Sequence, residues 1–141
     1  MAENDVSDRY VLRRIHKSHF HPGASLEIDP AAFRPSKDDH DGLSVSFENE
    51  ISADDLAAFA RQPAENYGVV RFGIAELEQL GLTIQRDTAD DAPAGHAFIP
   101  EINTNDYASS RELKRKLKDL GFQLARLASR GIVRRPTSGD G

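Results

Sequence analysis

The 141-residue chain has no cysteine, and no apolar run comes near the ~20 residues that span a bilayer. Without cysteine there is no disulfide, no thiolate metal site and no redox chemistry at sulfur. The acidic start MAENDVSD lacks the positive n-region of a secretory signal. The reading is therefore a cytoplasmic protein with no membrane association. Several motifs are also missing: G-x-S-x-G, the P-loop glycines, G-x-G-x-x-G and H-E-x-x-H. Their absence removes the sequence signatures of a nucleophile elbow, of phosphate-cradling nucleotide sites and of zinc proteases.

What is present suits one soluble domain. Hydrophobic residues make up 38% and charged residues 29%, and a chain of this length can bury a single core without staples. Charge is unevenly placed. Residues 1–110 carry 9 Lys+Arg against 20 Asp+Glu, net −11, and residues 111–141 carry 9 against 3, net +6. Such a basic segment suits the acidic body itself, a nucleic acid or an acidic partner protein. Pairing with the body is the reading adopted. Nucleic acid is not favoured, because aromatic interleaving and any recognisable binding motif are missing.

Alternation in RYVLRRIHK puts Val11 and Ile15 on one strand face and Tyr10, Leu12 and His16 on the other. LSVSF alternates Leu43, Val45 and Phe47 with two serines, the mark of a half-buried strand. Ser52 caps a short helix with Leu56, Phe59 and Ala60 as its stripe, which Pro63 stops. Tyr67–Ile74 reads as a strong strand, AELEQLG as a helix ended by Gly81, LTIQR as a strand, residues 87–95 as a polar loop and His96–Pro100 as a last short strand. Ser109 or Ser110 then caps a long amphipathic helix in which Leu113, Leu117, Leu120, Leu124 and Leu127 recur at helical spacing up to Gly131. Strands and helices without a regular βαβ rhythm give an α+β class. The expectation is a single domain over residues 9–131, with a curved, mostly antiparallel sheet and the C-terminal helix packed on it. Residues 1–8 and 132–141 are expected to be disordered.

Three histidines, His16, His19 and His21, fall within RIHKSHFHPG. On an extended chain His19 and His21 share a face and His16 does not, so no metal site is expected. SKDDHDG has alternating acids, but its glycine comes too late for a calcium loop and no glutamate closes it. The acidic pairs Asp54/Asp55 and Asp90/Asp91 sit at a helix start and in a loop, where they read as caps or solvated charge.

The candidate site gathers His16, Arg34, Ser44 and His96 into one pocket. His16 ends the first strand, Ser44 lies in the second and His96 opens the last, and strand ends and the loops beside them expose side chains to shared clefts. Arg34 precedes Pro35, which holds it extended, and its guanidinium suits a phosphate or carboxylate.

The order RIH…AFRPSKDDHDGLSVSF…YGVVRFGIAELEQLGL…GHAFIP, spanning residues 10–100, resembles a group of small bacterial proteins with no established activity. It is also faintly similar to ADP-ribosyltransferase-like domains of the RES and DarT type. That resemblance implies NAD as cofactor, with His16 at the first position, Ser44 or Ser46 at the second and a glutamate near the late strand, where the nearest acid is Glu101. Two functions are thus expected: a small binding or regulatory domain for a protein or a small anionic ligand, needing no cofactor, or a transferase using NAD. A concave site where His16, Arg34 and His96 converge favours an enzyme, and a flat or apolar patch favours a binder.

Overall fold

The computed structural model describes residues 10–35, 41–58, 63–90, 92 and 94–137. The expected disorder of residues 1–8, most of SKDDHDG, and Phe59 and Ala60 lie outside the described residues.

The period-2 patterns become strands. β1 (Tyr10–His16), β2 (Leu43–Phe47), β3 (Tyr67–Gly73), β4 (Gln85–Arg86), β5 (His96–Ile99) and β6 (Ile132–Arg134) form one antiparallel sheet. Their order is β4-β5-β2-β1-β3-β6. The helices are α1 (Ala53–Ala57), α2 (Ile74–Gln79), α3 (Thr104–Ser109) and α4 (Arg111–Ser129). The protein is an α+β domain.

Strand alternation sorts the apolar residues onto two unequal faces. Val11, Ile15, Leu43, Val45, Val70, Phe72, Ala97 and Ile99 point to the main core, where they meet Leu117, Leu120, Leu124 and Ala128 of α4. Leu12 and Val69 point the other way and meet Ala53, Leu56 and Ala57 of the short α1, with Ala64 and Tyr67 beside them. A five-residue helix cannot cover a six-stranded sheet, so much of the second face is left for polar side chains and a pocket.

Capping fixes where the helices start. Ser52 accepts from the Asp55 N–H at 3.0 Å, and Ser110 from the Leu113 N–H at 3.1 Å. Of the two expected caps for α4, Ser110 is the one used. Leu117 is 6% exposed and Leu124 fully buried, whereas Leu113 and Leu127 are only half-buried. Leu117→Ala is expected to cost about 2–5 kcal/mol, read from the urea midpoint.

Three features depart from the sequence reading. Of the segment expected to be disordered from residue 132, Ile132–Arg134 instead adds β6 to the edge of β3, with Val70 opposite Ile132, while residues 138–141 lie outside the described residues. Two arginines latch it: Arg134 donates to Asp54 at 2.5 Å and to the carbonyls of Tyr67 and Ala64, and Arg135 clamps Glu27 with both terminal nitrogens. For these two residues, the basic segment pairs with the acidic body. The strand expected over LTIQR shrinks to Gln85–Arg86, because Leu82 turns into the main core. α3 was not anticipated.

Candidate functional site

β2 turns Ser44 and Ser46 to the second face because Leu43 and Val45 are committed to the core; Ser44 stays partly exposed there and Ser46 is buried. In the β2–β5 ladder Ser46 faces His96 and Ser44 faces Phe98. The His96 ring therefore leans one diagonal step toward Ser44, and its Nε2 lies 2.5 Å from Ser44 Oγ. Phe98 supports the ring edge-on, with centroids 4.9 Å apart.

A third residue completes the line. β4 and β5 pair Arg86 with Ala97, so the chain leaving β4 passes His96, and the Asp87 N–H donates to the His96 carbonyl at 3.0 Å. Asp87 Oδ2 then lies 2.7 Å from His96 Nδ1, while Oδ1 accepts from the Ala89 N–H at 3.0 Å. The His96 and Asp87 side chains are only 17% and 15% exposed.

For a neutral His96 ring these contacts select one tautomer. A carboxylate can only accept, so Nδ1 carries a proton for Asp87. In the neutral imidazole Nε2 is then an acceptor, and the Ser44 hydroxyl is the donor. The result is a serine whose proton points at a base that a carboxylate orients.

Asp87 is held below the usual carboxylate pKa by the Ala89 N–H first and by His96 second, against the opposing effect of burial. Asp29 is held low by the Ala31 N–H and then His21, Glu50 by Arg86 and Glu27 by Arg135. A carboxyl whose folded pKa lies below its unfolded value stabilises the fold fully above the unfolded value. That stabilisation is lost as pH falls through the folded value. Stability is therefore expected to fall from about pH 4 downward. Asp87→Asn should flatten that slope in urea titrations at successive pH values.

Ser44 and His96 stand in the wall of a pocket of about 280 Å³, with Leu12 and Arg14 of β1, Ser46, Ile51, Leu56 and Tyr67. The β1–β2 ladder pairs only Val11 with Phe47 and Leu12 with Ser46. Beyond it the Arg13 guanidinium takes over, donating to the Ser44 carbonyl at 2.8 Å and to the Ala32 carbonyl at 2.9 Å.

The structure thus brings together Ser44 and His96 and places His16 and Arg34 elsewhere. His16 shares the face but lies outside the pocket wall. It is exposed at the end of β1, its ring stands edge-on to Tyr67, and its Nδ1 accepts from the Ser18 N–H to cap the turn 17–19. Arg34 is extended, as Pro35 requires. However, the preceding turn buries Ala32 and Phe33 in the main core, which carries Arg34 to a groove beside Leu117 and Phe122 of α4. Glu101 accepts from the Thr83 N–H at 3.0 Å and from the Thr83 hydroxyl at 2.6 Å. His21 pairs with Asp29 at 3.2 Å, and burial lowers the pKa of His19. Among the described residues no group of three or more His, Asp or Glu is placed to hold a metal ion.

Sequence reasoning missed Asp87. A signal for Asp87 was available: in a hairpin between LTIQR and HAFIP, the first loop residue stands opposite His96 across the neck. No helix among the described residues is long and apolar enough to cross a membrane. No protein-family model, curated protein or solved structure matches the chain.

Proposed function

We propose that this pocket is the active site of a small serine hydrolase acting on an ester or similar acyl compound. The observation that carries the reading is the hydrogen-bonded line Ser44–His96–Asp87 opening into a cavity. Ser44 Oγ attacks the substrate carbonyl carbon while its proton passes to His96 Nε2, and Asp87 stabilises the imidazolium that forms. His96 returns the proton to the departing alcohol as the C–O bond breaks. Water, deprotonated by the same nitrogen, then attacks the acyl-enzyme, and Ser44 leaves with the proton. Arg13 holds the backbone of Ser44 from behind, so the nucleophile does not depend on strand pairing alone.

The pocket is too small to enclose a dinucleotide: about 280 Å³ falls just below the roughly 300–1,000 Å³ of drug-sized sites. That size counts against the NAD-dependent reading. The non-catalytic reading, a module that binds a small anionic ligand, uses the same pocket. It draws on Ser44 being in mid-strand rather than on an exposed turn.

The test is labelling with a fluorophosphonate, which traps activated serines. The chain is expected to take up one phosphonyl group, on the peptide holding Ser44, and Ser44→Ala to take up none. A chain that stays unlabelled while folded, or is labelled as fast without Ser44, would leave the pocket as a binding site and overturn the catalytic reading.

A further inference from the structure

We infer that the groove between α4 and the turn Pro30–Phe33 docks an acidic segment of a partner protein, anchored by one apolar side chain. The inference is independent of the catalytic reading. Its first ground is an apolar slot at the surface. Phe33 and Leu117 form its floor, and Phe122, 54% exposed, stands at its lip. Gly121 brings the two walls together. A glycine inside a helix costs stability relative to alanine. Here a Cβ would come within 3.3 Å of the Pro30 carbonyl oxygen, so its absence lets the turn lie close against α4.

The second ground is charge. Arg34 and Lys118 flank the slot, and both are exposed. Asp29 also lines it, but its Oδ1 accepts from the Ala31 N–H and its Oδ2 pairs with His21. The helix Arg111–Ser129 carries 6 Lys+Arg against 2 Asp+Glu, net +4. Pairing with the acidic body is realised by Arg134 and Arg135. Among the described residues Arg34, Arg111, Arg115 and Lys118 make no ion pair with it. A cationic surface of this kind attracts and orients an acidic partner.

The third ground is extent. The slot, about 290 Å³, lies just below the roughly 300–1,000 Å³ of sites that enclose a drug-sized ligand, and it suits a single inserted side chain. The charge runs further than the slot. Arg111, Arg115 and Lys118 follow one another at helical spacing, so the cationic strip leads away from Phe122 for roughly 10 Å beyond Lys118. An extended acidic chain with one apolar residue matches both parts. A nucleic-acid backbone matches the strip but offers nothing to the slot.

The probe is a synthetic peptide of about twelve residues, acidic throughout except for one central phenylalanine, titrated into the isotope-labelled full chain and followed by NMR. Amide shifts are expected at Arg34, Leu117, Lys118, Gly121 and Phe122, and affinity should fall as salt is raised. Phe122→Ala is expected to weaken binding about 10- to 30-fold, as for an aromatic anchor. Arg34→Gln and Lys118→Gln should each weaken it about 2- to 5-fold, the range of an exposed ion pair. All three side chains are exposed, and unchanged spectra away from the groove would show that the variants remain folded. The same peptide with serine in place of phenylalanine, a single-stranded oligodeoxynucleotide of equal charge and vesicles containing phosphatidylserine should all bind more weakly. Equal binding of any of these, or binding unchanged in Phe122→Ala, would overturn the inference. So would the same shifts appearing with protein concentration alone, which would assign the groove to a second copy of the chain, or no shift with the peptide at low salt.

Discussion

Replacing His96 with alanine is expected to slow fluorophosphonate labelling of Ser44 about 10²- to 10⁴-fold, the range that a positioned general base contributes. The change removes the acceptor 2.5 Å from Ser44 Oγ and leaves the hydroxyl with its ordinary, weak nucleophilicity. Asp87→Asn is the sharper variant, because it keeps the shape. An asparagine can turn its amide N–H toward Nδ1, which moves the ring proton to Nε2, where it opposes the serine proton. A loss of up to about 10⁴-fold is expected from the wrong tautomer alone. Circular dichroism and the urea midpoint would show that both variants remain folded. Labelling at the wild-type rate in folded His96→Ala would mean that the histidine is only a hydrogen-bond partner.

Gly42→Ala is expected to destabilise the fold by about 3–5 kcal/mol, combining strain with overpacking. Gly42 has φ +136°, a conformation that L side chains rarely adopt. A Cβ there would sit 2.5 Å from the Ile99 carbonyl oxygen, 2.7 Å from its carbon and 2.8 Å from Pro100 Cα. All three atoms are backbone, so no side chain can swing aside. The end of β5 would have to move away from the start of β2, two residues before Ser44. Gly23 provides the comparison: its φ is +87°, yet nothing lies within 4 Å of a Cβ there. Gly23→Ala should therefore cost only the strain, roughly 1–3 kcal/mol. Similar urea midpoints for the two variants would show that the approach of Ile99 is not tight.

The elements that could be read from the sequence carry their information locally. Alternation of Val11 and Ile15 against Leu12 reports which face each will occupy, and the leucines of α4 report their stripe. Ser44 and His96 were legible as a pair because both lie on strands whose other face is apolar. β6 was not legible: three residues form it, and what holds them is remote, namely the Gly131 carbonyl accepting from the Arg71 N–H and Arg134 reaching Asp54. The side of the sheet that Arg34 joins was hidden for the same reason, since parity says nothing about which way a connection folds. Asp87 reads as loop polarity until the hairpin register is fixed.

The two margins of the sheet are occupied by its shortest strands, β4 with two residues and β6 with three, while the seven-residue β1 and β3 lie inside. Long apolar strands with open backbone edges recruit strands from other molecules, and short, charged margins resist this. Arg86 on β4 is held by Glu50, and Arg134 on β6 by Asp54, so each border carries a fixed cation where an incoming chain would have to dock. Cutting the chain before Ile132 would uncover β3, with Val69, Val70 and Phe72 along it. The shortened protein would then be prone to fibre-like stacking, although every strand of its core would be intact.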